Sequence, residues 1–342
     1  MAWYSSVHSC IWDHKGKIML LWDSLCRFRP SPRLMNAGRL VGFLLTIASL
    51  ILVVRQGITE IALSNWQNFL SGGLITLIAY GVSFGLQAVA WALLIGGLSR
   101  TLTDWRDLEI YAFSNLMRIV PGAIWYLVER VESYRDKGLS GRLTLAASAS
   151  EWGLLIVSSV GVYALTYLGQ DQVLLRLTSA VGVVILCLTS ARVLQRRAQL
   201  RTLCSNSLPI VSMRSRWMDA WPEICAVGLV YSMCHLLGAV MLYELACIIS
   251  PTSLFLFSDA VRFWALTVAV GTLGSVIIPL NIILRDLTVV VTLTSIMPAP
   301  TAITVGALLR VVFAIADVSY SSGLWLVARV ARLHSKVIQK RI

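Results

Sequence analysis

Residues 118–125 read Arg-Ile-Val-Pro-Gly-Ala-Ile-Trp, a Pro121-Gly122 pair set inside an apolar stretch. Proline has no N–H to donate and glycine favours angles outside the helical region, so a continuous helix stops there. The break matters because of the chain around it. Hydrophobic residues make up 57% of the 342 and charged residues 13%, with a mean hydropathy of +0.75. A soluble chain this apolar could not cover itself with polar surface, which predicts an all-α polytopic membrane protein. Hydrocarbon tolerates broken backbone only where it faces protein or a water-filled cavity. Arg118, Trp125, Glu129 and Arg130 flank the break, and so describe a polar site within the membrane.

The net charge of +12 has a pattern that argues against a nucleic-acid partner. Of the 29 Lys/Arg, 24 fall in 1–39, 99–142, 191–216 and 329–342, leaving the segments between them nearly bare. Alternating basic and non-basic loops orient a membrane protein with its basic loops in the cytosol. The reading is a multi-pass protein of the cytoplasmic (inner) membrane with both termini cytosolic. Seven cysteines without a CxxC pair make disulfides and zinc improbable. His8, Cys10 and His14 form at most a weak metal site on the N-terminal segment, so no metal or cofactor is expected.

Apolar runs place spans near 40–54, 70–98, 143–168, 173–190, 222–248, 259–280, 283–297 and 302–328. Residues 1–39 read as a basic interfacial segment, with Met35 as an alternative start. Residues 40–328 read as one transport domain and 329–342 as a basic tail. The stretch 107–128 is too broken for a normal span, and counting it as one would reverse every later loop. It reads as a re-entrant hairpin, followed over 129–142 by a polar interfacial helix that Gly138 closes.

A weak repeat links repeat A, about 70–190, to repeat B, about 222–328. Pro121 is followed by Glu129 and Arg130 and then by Glu151 within a span. Pro279 is followed by Arg285 and Asp286 and then by Arg310 within a span. Similar units of opposite orientation with interrupted helices are the mark of an inverted-repeat transporter.

Glu151 and Arg310 are single charges near the middle of apolar spans, each costing about 2.5–3.5 kcal/mol on insertion scales. They are expected to pair with each other or with Asp317, as helix glue or as a gate. Arg118, Arg130 and Arg285 beside helix ends suit a phosphate or phosphodiester headgroup, tempered by Glu129 and Asp286; for all three the competing reading is snorkelling to the interface. Asn115 suits the freed backbone at the break, or the headgroup beside Trp125. Trp91, Trp152 and Trp264 read as belt or core, His235 as a neutral packing residue, and Asp259 with Arg262 as a local boundary pair.

The Asn115…Arg118-Ile-Val-Pro121-Gly122-Ala-Ile-Trp125…Arg130 stretch, a turn at Gly138 and then Glu151 resembles the flippase-like membrane domain of lysylphosphatidylglycerol synthases, including stand-alone relatives without the synthase domain. That family's second Pro-Gly-Gly turn stands here as Pro279-Leu280-Asn281, followed by Arg285-Asp286 and Arg310. The resemblance implies eight spans with two opposed re-entrant hairpins shaped by Pro121, Gly122, Pro279 and Asn281. It also implies movement of a lipid-linked or aminoacylated headgroup between leaflets.

The expected function is a lipid flippase or lipid-linked glycan transporter. Its partners would be a phospholipid or polyprenyl-phosphate-linked substrate, membrane lipids and envelope-biosynthesis enzymes. The alternatives are a polyprenyl-phosphate-dependent glycosyl- or phosphotransferase, for which Glu60 or Asp171 would be the base, and a non-transporting envelope assembly factor. No Walker A, HExxH or GxSxG motif is present, so the chain shows no nucleotide-driven engine.

Overall fold

The computed structural model describes residues 66–99, 103–117, 124–168, 220–250, 255–277 and 281–339. The protein is all-α, and no strand occurs among the described residues. Eight helices follow in order: α1 (Trp66–Ser99), α2 (Trp105–Leu116), α3 (Ile124–Arg135), α4 (Gly141–Leu168), α5 (Trp221–Ile249), α6 (Phe257–Ile277), α7 (Asn281–Leu293) and α8 (Ala299–Gln339). Four of them, α1, α4, α5 and α8, are long and apolar enough to cross a membrane. The expected spans 40–54 and 173–190 lie outside the described residues, as do the Met35 start and His8, Cys10 and His14.

The order long helix, hairpin, long helix therefore occurs twice, as α1–α4 and as α5–α8, the first limb of the second hairpin being the 21-residue α6. In the first unit the short pair folds back on itself. Arg130 of α3 reaches Ser114 of α2, and Lys137 just beyond α3 bonds Asp104 at 2.8 Å and Asp107 at 2.6 Å at the start of α2. Twelve residues rise about 18 Å, too little for a hydrocarbon core of about 30 Å. The pair is the hairpin that Pro121-Gly122 announces, although residues 118–123 themselves lie outside the described residues. Asp104 and Asp107 cap α2 reciprocally, and Gly138, at φ +86°, closes α3. A left-handed angle there is one that glycine adopts without penalty. The interfacial helix expected over 129–142 is in fact the hairpin's second limb, running Ile124–Arg135, because its helix starts immediately after the break.

In the second unit α6 and α7 fold back likewise. Gly274 and Gly271 face Leu284 and Arg285 so closely that a Cβ at either glycine would crowd the α7 side chain. The spans expected at 259–280 and 283–297 are thus two limbs of one hairpin.

The two units are related by inversion. The equivalent long helices α1 and α5 pack antiparallel, with Gly72 beside Ile248, Ser83 beside Cys234 and Gly97 beside Glu223. The α2–α3 hairpin packs through α2 on α8, and the α6–α7 hairpin packs through α6 on α4. Each remaining major packing partnership also has its counterpart on exchanging the units. An antiparallel contact between equivalent elements demands an axis perpendicular to them, which lies in the membrane plane. Two buried clusters form the core: one sets Trp91, Leu94, Tyr111 and Tyr134 of the first unit against Val227 and Tyr231 of α5, the other gathers Leu242, Trp264, Leu293 and Phe313 between α5, α6, α7 and α8.

The contacts also sort the helix ends. The ends carrying Arg106, Lys137, Arg142 and Arg332 gather on one face, and those carrying Glu244, Asp259 and Arg262 on the other.

Candidate functional site

Each unit holds a charge cluster where its hairpin meets its last helix. In the first, α3 packs against α4, and this brings Arg130 to Glu151. Arg130 Nη1 donates to Glu151 Oε2 at 2.5 Å, with the two side chains 0% and 1% exposed. Arg130 Nε donates to Ser114 Oγ at 3.1 Å. Tyr126 donates to Glu151 Oε2 at 2.6 Å, and Tyr231, from α5 of the other unit, donates to Oε1 at 3.4 Å. The guanidinium lies 3.7 Å from the Trp91 ring centroid, 4.1 Å from Tyr126 and 5.3 Å from Tyr111. Ring faces carry negative potential, so the box favours a cation at position 130. Trp91 in turn donates its indole N–H to Tyr134 at 2.9 Å.

The second cluster repeats the scheme with the signs exchanged. Here the hairpin supplies the carboxylate, Asp286 on α7, and the last helix supplies the arginine, Arg310 on α8, at 3.7 Å. Arg285 also meets Asp286, at 3.6 Å, and its guanidinium sits 5.0 Å from the Phe313 ring. Tyr80, from α1 of the other unit, donates to Asp317. Both clusters contain as many acidic as basic groups, and a tyrosine from the opposite unit's first helix ends in each.

The expected Glu151–Arg310 pair is not made. The helices that carry them, α4 and α8, are not among the principal packing partners, whereas each hairpin lies directly against its own last helix. Nor do Arg130 and Arg285, two of the arginines expected around a headgroup, converge. Arg118 lies outside the described residues, as do Pro121, Gly122 and Pro279. Arg130 is sealed within the first cluster and does not snorkel, and Arg285 belongs to the second. Asn281 begins α7.

Asn115, buried, donates to Ser321 of α8 at 3.2 Å and so ties one unit's hairpin to the other unit's last helix. Trp125 is half-buried at the start of α3, and Glu129 accepts from Ser133. Trp91 and Trp264 are core residues, and Trp152 stacks on Tyr126. His235 packs its Nε2 against Ser158 and Ser159, as a helix-packing histidine does. Asp259 and Arg262 pair at 3.6 Å, and Arg262 also donates to the Thr166 carbonyl at 3.0 Å, joining α6 to the end of α4. Glu60 and Asp171 lie outside the described residues.

A cleft of about 290 Å³ opens on the basic face between α2, α3 and α8. From α2 come Arg106, Glu109, Ile110 and Phe113, and from α3 Glu129, Ser133 and Asp136. From α8 come Trp325, Arg329 and Arg332. Arg332 bridges to Glu109 at 3.1 Å, and the Arg329 guanidinium stacks 4.9 Å from the Trp325 ring. None of these except Glu129 figured among the expected site residues. The signal was there in the spacing: 106/109/113, 129/133/136 and 325/329/332 each put one helical face in register.

No family model, curated protein or solved structure matches the chain.

Proposed function

We propose that the chain is an inverted-repeat transporter that moves a phospholipid or polyprenyl-phosphate-linked headgroup, anionic or amine-bearing, between leaflets of the cytoplasmic membrane. The observation that carries the proposal is the antiparallel packing of α1 on α5, with each unit's hairpin held against the other unit's last helix. In such an architecture a small rocking of one unit on the other exchanges access between two faces around a fixed centre. The short helices α2, α3 and α7 of the hairpins leave backbone and charge inside the membrane, which hydrocarbon permits only around a polar path. The positive-inside rule puts the face bearing Arg106, Arg142 and Arg332 in the cytosol. The resemblance of residues 115–151 to the flippase-like domain of lysylphosphatidylglycerol synthases points the same way.

The charge clusters act in this scheme as pivots rather than as ligands. Arg130–Glu151 fixes the first hairpin to α4, while Tyr231 and Tyr80 couple each cluster to the opposite unit. The test is a leaflet-specific assay in proteoliposomes with fluorescent phospholipids and polyprenyl-phosphate sugars. Movement above that of protein-free vesicles is expected for at least one cargo. Rates equal to protein-free vesicles for every cargo would refute the proposal.

A further inference from the structure

We infer that Tyr80 interlocks the two hairpins, joining the first charge cluster to the second through a continuous column of aromatic rings. For its purpose the inference rests on the transport reading; the coupling itself needs no cargo. Tyr80 stands where the two buried clusters of the core meet. Among the described residues it is the one half-buried apolar side chain that packs against both. Phe84 of the first cluster touches it on one side and Phe313 of the second on the other.

The column runs from arginine to arginine. Arg130 lies 5.3 Å from the Tyr111 ring, Tyr111 lies 5.6 Å from Phe84, and Phe84 stacks on Tyr80 at 6.4 Å. Tyr80 then crosses to the other unit, 5.4 Å from Phe313, whose ring sits 5.0 Å from the Arg285 guanidinium. Every step is within the range over which rings attract rings or cations. Further contacts fix the crossing. The Tyr80 hydroxyl donates to Asp317, and Tyr320 of α8 stacks on Tyr80 at 5.9 Å while donating to the Leu77 carbonyl at 2.8 Å. Gly81 gives the Tyr320 ring its seat, since a Cβ there would lie 2.6 Å from it.

Tyr111, Phe84 and Phe313 are 0%, 5% and 3% exposed, so none can turn aside without opening a void. Packed rings of this kind have discrete arrangements and do not deform by degrees. When the first hairpin loses its grip on α4, Arg130 shifts against Tyr111, and the displacement passes through Tyr80 to Phe313 and the Arg285–Asp286–Arg310 group. In a rocking transporter this interlock stops the hairpins from moving independently, which would open a leak.

The experiment reads the second hairpin while the first is perturbed. Its sensor is a disulfide between α7 and α8, Val290→Cys with Gly306→Cys, in the purified full chain without other cysteines. A Cβ at 306 would lie 2.8 Å from Val290 Cγ2, close enough for a bridge. Timed oxidation with copper phenanthroline, followed by the mass of the alkylated protein, gives the rate of bridge formation. Glu151→Gln should slow it at least about fivefold, the low end of ordinary coupling between sites. In a Tyr80→Leu background the same substitution should change it less than about twofold. Tyr80→Phe keeps the ring and should preserve the coupling. Ser114→Ala, which removes only the acceptor 3.1 Å from Arg130 Nε, is a milder perturbation that should also slow the sensor and serves if Glu151→Gln fails to fold.

A sensor that answers to neither perturbation would overturn the inference. An effect that survives Tyr80→Leu at full size would also overturn it, because the coupling would then take another route. Failure of the transport reading shows separately: coupling without cargo movement in proteoliposomes keeps the interlock and removes the transporter. Cargo movement with an unresponsive sensor does the reverse.

Discussion

Replacing Glu151 by glutamine keeps the shape of the side chain but turns one of its two acceptor oxygens into an N–H donor, so it can accept from only one of Tyr126 and Tyr231, and it removes the charge that faces Arg130. Arg130 is 0% exposed, and its Nη1 would lose a 2.5 Å charge-assisted bond. Its contacts to Ser114 Oγ and to the ring faces of Trp91 and Tyr126 remain. An uncompensated buried charge costs about 3–5 kcal/mol. The ring contacts, about 2 kcal/mol when desolvated, are present before and after and offset none of it. Arg130→Met should cost a similar amount by stranding the carboxylate, less what the two tyrosine donors recover. In the double variant Arg130→Met/Glu151→Gln no charge is left behind, so its cost should fall short of the sum of the singles by about 2–3 kcal/mol. The exchanged pair Arg130→Glu/Glu151→Arg should not recover stability, because the aromatic box favours a cation at position 130. Equilibrium unfolding in mixed micelles, followed by tryptophan fluorescence, measures all four. Additive single effects, or a Glu151→Gln cost below about 1 kcal/mol, would refute the idea that this pair anchors the hairpin.

Three other outcomes follow from the packing. Gly97→Cys with Glu223→Cys, in a background without other cysteines, should cross-link spontaneously, since a Cβ at 97 would lie 3.3 Å from that of Glu223; gel mobility reads it, and parallel packing of α1 and α5 would prevent it. Gly238→Ala should cost about 1–3 kcal/mol in micelle unfolding, because its methyl would overlap the Trp264 indole, whereas Gly73→Ala, with open space around it, should be tolerated. Burial at the interface raises the Asp107 carboxyl above its ordinary 3.8, against the opposing pull of Lys137. The folded chain then holds that proton more tightly than the unfolded chain, so this contribution is full at low pH and is lost as pH rises from 3.8 through the raised value. Wild type minus Asp107→Asn stability should decline across that window in melts at stepped pH, and a rise would contradict it.

The long helices were legible because an apolar run of membrane length has one economical structure. Spans read at 70–98, 143–168 and 222–248 appear as Trp66–Ser99, Gly141–Leu168 and Trp221–Ile249. The first hairpin was legible from Pro121-Gly122, since few arrangements satisfy a broken backbone in lipid. The end of α8 was not. Arg329 and Arg332 looked like a basic tail following 302–328, yet the helix continues to Gln339 because those charges line the cleft and pair with α2.

Partner choice was also hidden. The order of charges after Pro121 and Pro279 pointed to a repeat, with Glu151 and Arg310 expected to pair with each other or with Asp317. It could not tell whether Glu151 reaches a hairpin nearby in sequence or a span in the other unit. That choice is made by which helices touch, and by tyrosines at 80, 126 and 231 that no motif singles out.

The exchange of signs between the clusters bears on energetics. Two chemically identical modules related by inversion have degenerate end states, one the upside-down image of the other. Here the degeneracy is lifted: an arginine caged by aromatic rings anchors one module, while a wetter, looser pair anchors the other. Each cluster nonetheless sums to zero, so a module that rocks with its cluster intact carries no gating charge and avoids the roughly 2.3 kcal/mol per charge that 100 mV would impose. On the transport reading, the two clusters themselves add no voltage bias to the resting orientation.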